Sequence, residues 1–153
     1  MGSTSSDAGR PPGIGLRDNG TVLVVDDDRA ICDALRLTLE DLGYAVITAH
    51  DGIEALALFL EHRPALILTD LVMPGKDGIE LMREIRRERA SVKIVAMSGG
   101  GRYGRPDYVR LATKLGADAG IRKPFNGSAL HELLVGLQDP GPWQVEKRGT
   151  RPR

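Results

Sequence analysis

From Thr21 to Leu137 the chain alternates two kinds of apolar pattern, and this alternation limits the possible folds more than any other feature. Short runs rich in Val, Ile and Leu stand at 21–26 (TVLVVD), 44–49 (YAVITA), 65–70 (ALILTD), 93–98 (KIVAMS) and, more weakly, 119–122 (AGIR). Three of them are almost continuously apolar, as strands covered on both faces must be. Between them apolar residues recur at helical period: Ile31, Ala34, Leu35, Thr38, Leu42; Ile53, Leu56, Ala57, Leu60; Ile79, Met82, Ile85. The pattern continues through Tyr108, Leu111, Ala112, Leu115 and through Leu130, Leu133, Leu134, Leu137. Strands joined by helices of this length lie parallel, with right-handed crossovers. The expected class is α/β: a doubly wound (βα)5 parallel sheet with helices on both faces.

The flanks read differently. Residues 1–20 are mostly Gly, Ser, Pro and Asp, and 138–153 carry three prolines and two glycines. They are expected to form a disordered arm and a flexible tail around a domain at 21–137. With 153 residues, one domain is expected, and no further DNA-binding domain is expected in the flanks. Aromatic residues make up 4%, so the core must be aliphatic. The balance of 21 Lys+Arg against 21 Asp+Glu argues against nucleic acid or an anionic membrane held by bulk charge. Cys32 cannot form an internal disulfide, and no secretory signal or run of about 20 apolar residues is visible. A cytoplasmic location follows as the expectation.

Local signals mark the helix ends. Asp28 directly precedes a helical stretch and suits an N-cap, while Asp51-Gly-Ile-Glu54 and Asp77-Gly-Ile-Glu80 repeat a capping-box variant. Gly43 suits a helix C′ position. Cys32 reads as a small half-buried helix residue, and Arg83, Arg86, Arg87 and Arg89, interleaved with Glu84 and Glu88, as a solvated face. His50, His62 and His131 lack any ligand spacing.

In open α/β sheets the functional site lies beyond the carboxyl ends of the strands. There the sequence places Asp26, Asp27 and Asp28 after the first strand, Asp70 after the third, Ser98 after the fourth and Lys123-Pro124 after the fifth. Two carboxylates about 4 Å apart repel by roughly 4 kcal/mol at an effective dielectric near 20, so a counter-cation is needed. Hard oxygen ligands with room for water suit Mg²⁺. A carboxylate beside a metal, a lysine and a hydroxyl is a reasonable nucleophile toward phosphorus.

The ordered motifs VLVVDDD (22–28), LILTDLVMPGKDG (66–78), IVAMSGG (94–100) and KPF (123–125) resemble the receiver domain of two-component response regulators. The resemblance covers residues 22–137 and implies a flavodoxin-like sheet of order 2-1-3-4-5. It implies Asp70 as phosphoacceptor, Asp27 as a direct Mg²⁺ ligand, Asp26 acting mostly through water, and the Val72 backbone carbonyl as a further ligand. Ser98 would hydrogen-bond one phosphoryl oxygen and Lys123 would pair with another. The family's lysine–proline bond is typically cis, and the same is expected of Lys123-Pro124.

The implied role is signalling rather than enzymatic turnover. A sensor histidine kinase or histidine phosphotransfer protein would supply the phosphoryl group, and an unknown downstream protein would respond, without direct nucleic-acid or membrane contact. Departures bear on mechanism. Gly120 stands where receivers commonly have an aromatic residue, and Gly99 to Pro106 forms a glycine-rich connection containing Tyr103. Val72 and Gly100 offer no side chain to orient a hydrolytic water, so slow dephosphorylation is expected. Two other readings compete: a receiver-like binding module that is never phosphorylated, and a haloacid-dehalogenase-like phosphohydrolase using Asp26.

Overall fold

The computed structural model describes residues 21–88, 91–99 and 108–138. The expected arm, the tail, and the glycine-rich segment from Gly100 through Tyr103 to Pro106 lie outside these residues. The elements are β1 (Thr21–Val25), α1 (Arg29–Asp41), β2 (Ala45–Ala49), α2 (Gly52–His62), β3 (Leu66–Asp70) and α3 (Gly78–Glu88). They continue with β4 (Lys93–Ser98), α4 (Tyr108–Lys114), β5 (Ala119–Arg122) and α5 (Gly127–Gln138). All strand pairs are parallel and the order is β2-β1-β3-β4-β5, as the alternation and the resemblance implied.

The two faces of the sheet separate cleanly along each strand. Val22, Val24, Leu66, Leu68, Val95 and Met97 pack with Leu35 and Leu39 of α1 and Leu130 and Leu134 of α5. Their neighbours Leu23, Val25, Ile67, Ile94 and Ala96 pack with α2, α3 and α4 through Phe59, Ile85 and Ala112. The period-two side-chain alternation thus feeds two aliphatic cores, so the strands had to be apolar on both faces.

The helix ends follow the local chemistry. The Asp28 carboxylate accepts the Ala30 and Ile31 N–H groups, Asp51 accepts that of Glu54, and Asp77 that of Glu80. Glu54 reaches back to the His50 N–H at 2.9 Å. After α1, Gly43 takes φ 100°, and its N–H and that of Tyr44 donate to the Glu40 and Leu39 carbonyls, a Schellman motif that needs the left-handed residue.

Two local readings of the sequence are corrected. Arg86 does not belong to a solvated face: its guanidinium donates to the carbonyls of Gly116 and Val92 and pairs with Asp118 at 2.8 Å. Asp118 also accepts the Ile94 N–H, so one fork ties α3 to the turn after α4 and to β4. Cys32 is fully buried, with its Sγ 3.3 Å from the Asp26 carbonyl, and burial pushes its thiol up to about 11. At the sheet edge, Arg36 of α1 reaches across β2 to the Val46 carbonyl at 3.4 Å and the Thr48 hydroxyl at 3.2 Å. Among the described residues no helix is long and apolar enough to cross a membrane.

Candidate functional site

The strand ends bring together the residues that the sequence placed there. Asp26, immediately after β1, is 1% exposed: one carboxylate oxygen accepts the Asp28 N–H at 2.9 Å and the other the Lys123 ammonium at 2.8 Å. Asp70 closes β3 and is 7% exposed, its Oδ1 accepting the Leu71 N–H at 2.9 Å and lying 3.6 Å from Lys123 Nζ. Asp27 is exposed beside them, and one oxygen from each of Asp26, Asp27 and Asp70 lies within 4.8 Å of the others. Ser98 ends β4 buried, and its carbonyl accepts the Lys123 N–H at 2.6 Å. The Lys123-Pro124 bond is cis. Val72 is exposed two residues beyond Asp70.

Among the described residues, three carboxylates share this space with one ammonium. Burial is the main cause that raises the Asp70 carboxyl to about 6, and the negative charges of Asp26 and Asp27 add to it. Lys123 and the Leu71 N–H pull the other way and do not win. Burial alone would lower the Lys123 ammonium, but its hydrogen bond to Asp26 and the charges of Asp70 and Asp26 raise it above its ordinary value. The surplus of negative oxygen donors over positive charge fits Mg²⁺, which needs one or two carboxylates and completes its shell with water and phosphate oxygens. Asp26, by contrast, is poorly placed to attack a substrate, being buried with both oxygens already engaged.

The glycine at 120 has a packing explanation. Gly120 pairs with Ala96 in the sheet, and a Cβ built there would stand 2.3 Å from Val109 Cγ1. Val109, 9% exposed in the first turn of α4, occupies the space a side chain would need. Sequence reasoning missed this contact and also Thr69, whose buried hydroxyl donates to the Asp70 carbonyl at 2.9 Å. A hydroxyl in an otherwise apolar strand was the available signal, since buried hydroxyls require a partner.

A five-stranded parallel sheet of this order, with acidic groups beyond β1 and β3 and a lysine beyond β5, defines a class of signalling domain. Residues 22–135 match the family of the response regulator receiver domain, and the chain belongs to it. Among relatives, the response regulator MprA of Mycobacterium avium (strain 104) is 38% identical over 119 residues, covering 76% of this chain and 49% of that protein. MprA of Mycobacterium tuberculosis (strain H37Rv) matches at the same identity, over 48% of its length. The chain thus spans about half the length of the curated relatives it matches. Among solved structures, the Vibrio cholerae chemotaxis protein CheY4 superposes with a TM-score of 0.68 at 32% identity, over 75% of this chain and 95% of that one. The Thermotoga maritima response regulator TrrA, solved in complex with Mg²⁺ and BeF, gives 0.67 at 33% identity, over 76% and 97%.

Proposed function

We propose that this receiver domain takes a phosphoryl group onto Asp70 from the phosphohistidine of a sensor histidine kinase or histidine phosphotransfer protein. The convergence of three carboxylates within 4.8 Å, around a lysine 2.8 Å from one and 3.6 Å from another, carries the reading. An Asp70 oxygen bonds to phosphorus as the phosphorus–nitrogen bond to the donor imidazole breaks, leaving an acyl phosphate. Lys123 pairs with one phosphoryl oxygen and the Ser98 hydroxyl hydrogen-bonds another, so the chain contributes positioning and charge neutralisation. Asp27, Asp70 and the Val72 carbonyl would hold Mg²⁺, with Asp26 acting mostly through water, and the ion would supply positive charge against the phosphoryl oxygens when bound. The domain assists its own phosphorylation and dephosphorylation rather than turning over a substrate. The modified state changes affinity for a downstream protein in the cytoplasm.

The test is incubation with Mg²⁺ and acetyl phosphate, followed by mass spectrometry. A base-labile phosphoryl adduct on Asp70, absent from Asp70→Asn, is expected. Modification of Asp26 instead would point to hydrolase chemistry. No modification by acetyl phosphate or by a cognate kinase would identify an inert binding module.

A further inference from the structure

We infer that Thr69 is a positioning residue for Asp70, fixing the Asp70–Leu71 peptide so that the Leu71 N–H stays aimed at the acceptor carboxylate. The inference rests on the reading of Asp70 as the phosphoacceptor. Thr69 is 1% exposed near the end of a strand that is otherwise apolar up to Asp70, and its hydroxyl donates to the Asp70 carbonyl at 2.9 Å. The N–H of that same peptide is shared between two acceptors, Asp70 Oδ1 at 2.9 Å and the Met97 carbonyl of β4 at 3.1 Å. A peptide unit is planar, with its carbonyl and N–H pointing in opposite directions, so a group that holds the oxygen also sets the direction of the N–H.

Backbone from another element packs against this peptide. The start of α3 closes on it from outside: the Gly78 N–H donates to the Leu71 carbonyl at 3.0 Å, and a Cβ on Gly78 would lie 2.1 Å from the Asp70 carbonyl oxygen. Rotation would carry the Leu71 N–H from the carboxylate toward Met97, and the Thr69 hydroxyl opposes it. Without that hydroxyl the amide settles on Met97, and the Asp70 carboxylate loses the donor that orients it toward the lysine. Thr69 therefore acts through Asp70 and touches no phosphoryl group.

Two substitutions separate this role from simple packing. Thr69→Val keeps the shape and removes the hydroxyl, while Thr69→Ser keeps the hydroxyl and leaves a methyl-sized gap. Stability by urea unfolding and the rate of phosphorylation by acetyl phosphate with Mg²⁺ are measured for both. The expected orders are opposite. Thr69→Val is at least as stable as Thr69→Ser yet about fivefold slower than wild type, the value of one hydrogen bond, while Thr69→Ser stays within about twofold. The Leu71 amide resonance should shift in Thr69→Val and stay near its wild-type position in Thr69→Ser. A Thr69→Val rate equal to wild type, or rates that simply follow stability, overturns the inference. Wild-type protein that accepts no phosphoryl group overturns the acceptor reading itself, and this inference with it.

Discussion

Replacing Asp70 by Asn in the absence of divalent cations should stabilise the protein, and should do so increasingly as pH rises. The carboxyl titrates at about 6 in the folded domain against 3.8 for the ordinary group. The native state therefore holds this proton more tightly than the unfolded chain does. An ionised Asp70 costs nothing below about pH 4, costs progressively more through the window to about pH 6, and costs its full amount above that. Roughly two pKa units at about 1.4 kcal/mol each make the full cost about 3 kcal/mol. Asparagine removes the charge and can keep the bond from the Leu71 N–H, which Asp70 accepts at 2.9 Å.

The assay is urea unfolding of both proteins in EDTA at several pH values from 4 to 7.5, read as the difference between them so that other titrating groups cancel. At an m-value of about 1.5 kcal/mol/M, the two midpoints should be close at pH 4 and separated by about 2 M at pH 7. Adding Mg²⁺ at about 100 times its dissociation constant should stabilise wild type by about 2.7 kcal/mol, with little effect on the variant, and so nearly close the gap. A gap that stays constant within about 0.5 kcal/mol across the pH range would refute the account of a crowded, under-neutralised pocket.

Other expectations follow from the same contacts. Lys123→Met should abolish phosphorylation and cost about 2–3 kcal/mol in urea unfolding, because it leaves Asp26 buried without its cation; the 21% exposed ammonium keeps this below the cost for a fully buried pair. Gly120→Ala should cost about 1–3 kcal/mol through collision with Val109, and in a Val109→Ala background the same change should cost at least about 1 kcal/mol less in a double-mutant cycle. Arg86→Ala should cost about 2–4 kcal/mol in urea unfolding, and Arg86→Lys should recover less than half, since an ammonium cannot reproduce the fork to Gly116, Val92 and Asp118. Because Val72 brings no polar side chain beside Asp70, the phosphorylated protein should keep its group for minutes or longer at neutral pH; decay within seconds would contradict this.

Periodicity and short-range backbone chemistry made the elements and their ends legible, but not always the inward face: in α2 the stripe through Ile53 and Leu60 is exposed while Ala55 and Phe59 are buried. The strand runs ended within one residue of the observed strands, and Asp28, Asp51, Asp77 and Gly43 sat where their hydrogen-bonding chemistry required. The placement of the candidate site was legible for a related reason: parallel topology sends the ends of β1, β3, β4 and β5 to one rim, so Asp26, Asp70, Ser98 and Lys123 stand there once the order is known. Long-range packing was not legible. Arg86 carries the same helical spacing as its solvated neighbours, and only the fold brings Gly116 and Asp118 within reach of its side chain. The glycine at 120 looked like a missing side chain, whereas it is a slot filled by Val109 from another element. Cys32 read as half-buried because it stands beside a stripe drawn through Ile31, Ala34, Leu35 and Thr38, whereas the buried face of α1 runs through Cys32, Leu35 and Leu39.

The guanidinium of Arg36 has a consequence for how copies of this protein behave in a crowded solution. β2 is an outer strand, and outer strands invite a foreign strand to pair along them. Arg36 donates to one backbone acceptor of that edge, the Val46 carbonyl, and anchors on the Thr48 hydroxyl beside it, so a pairing strand would meet a cation at that point. A neighbouring chain would have to evict that cation before zipping on. The arginine thus covers part of the outer edge of β2, and edge pairing there would begin by displacing it.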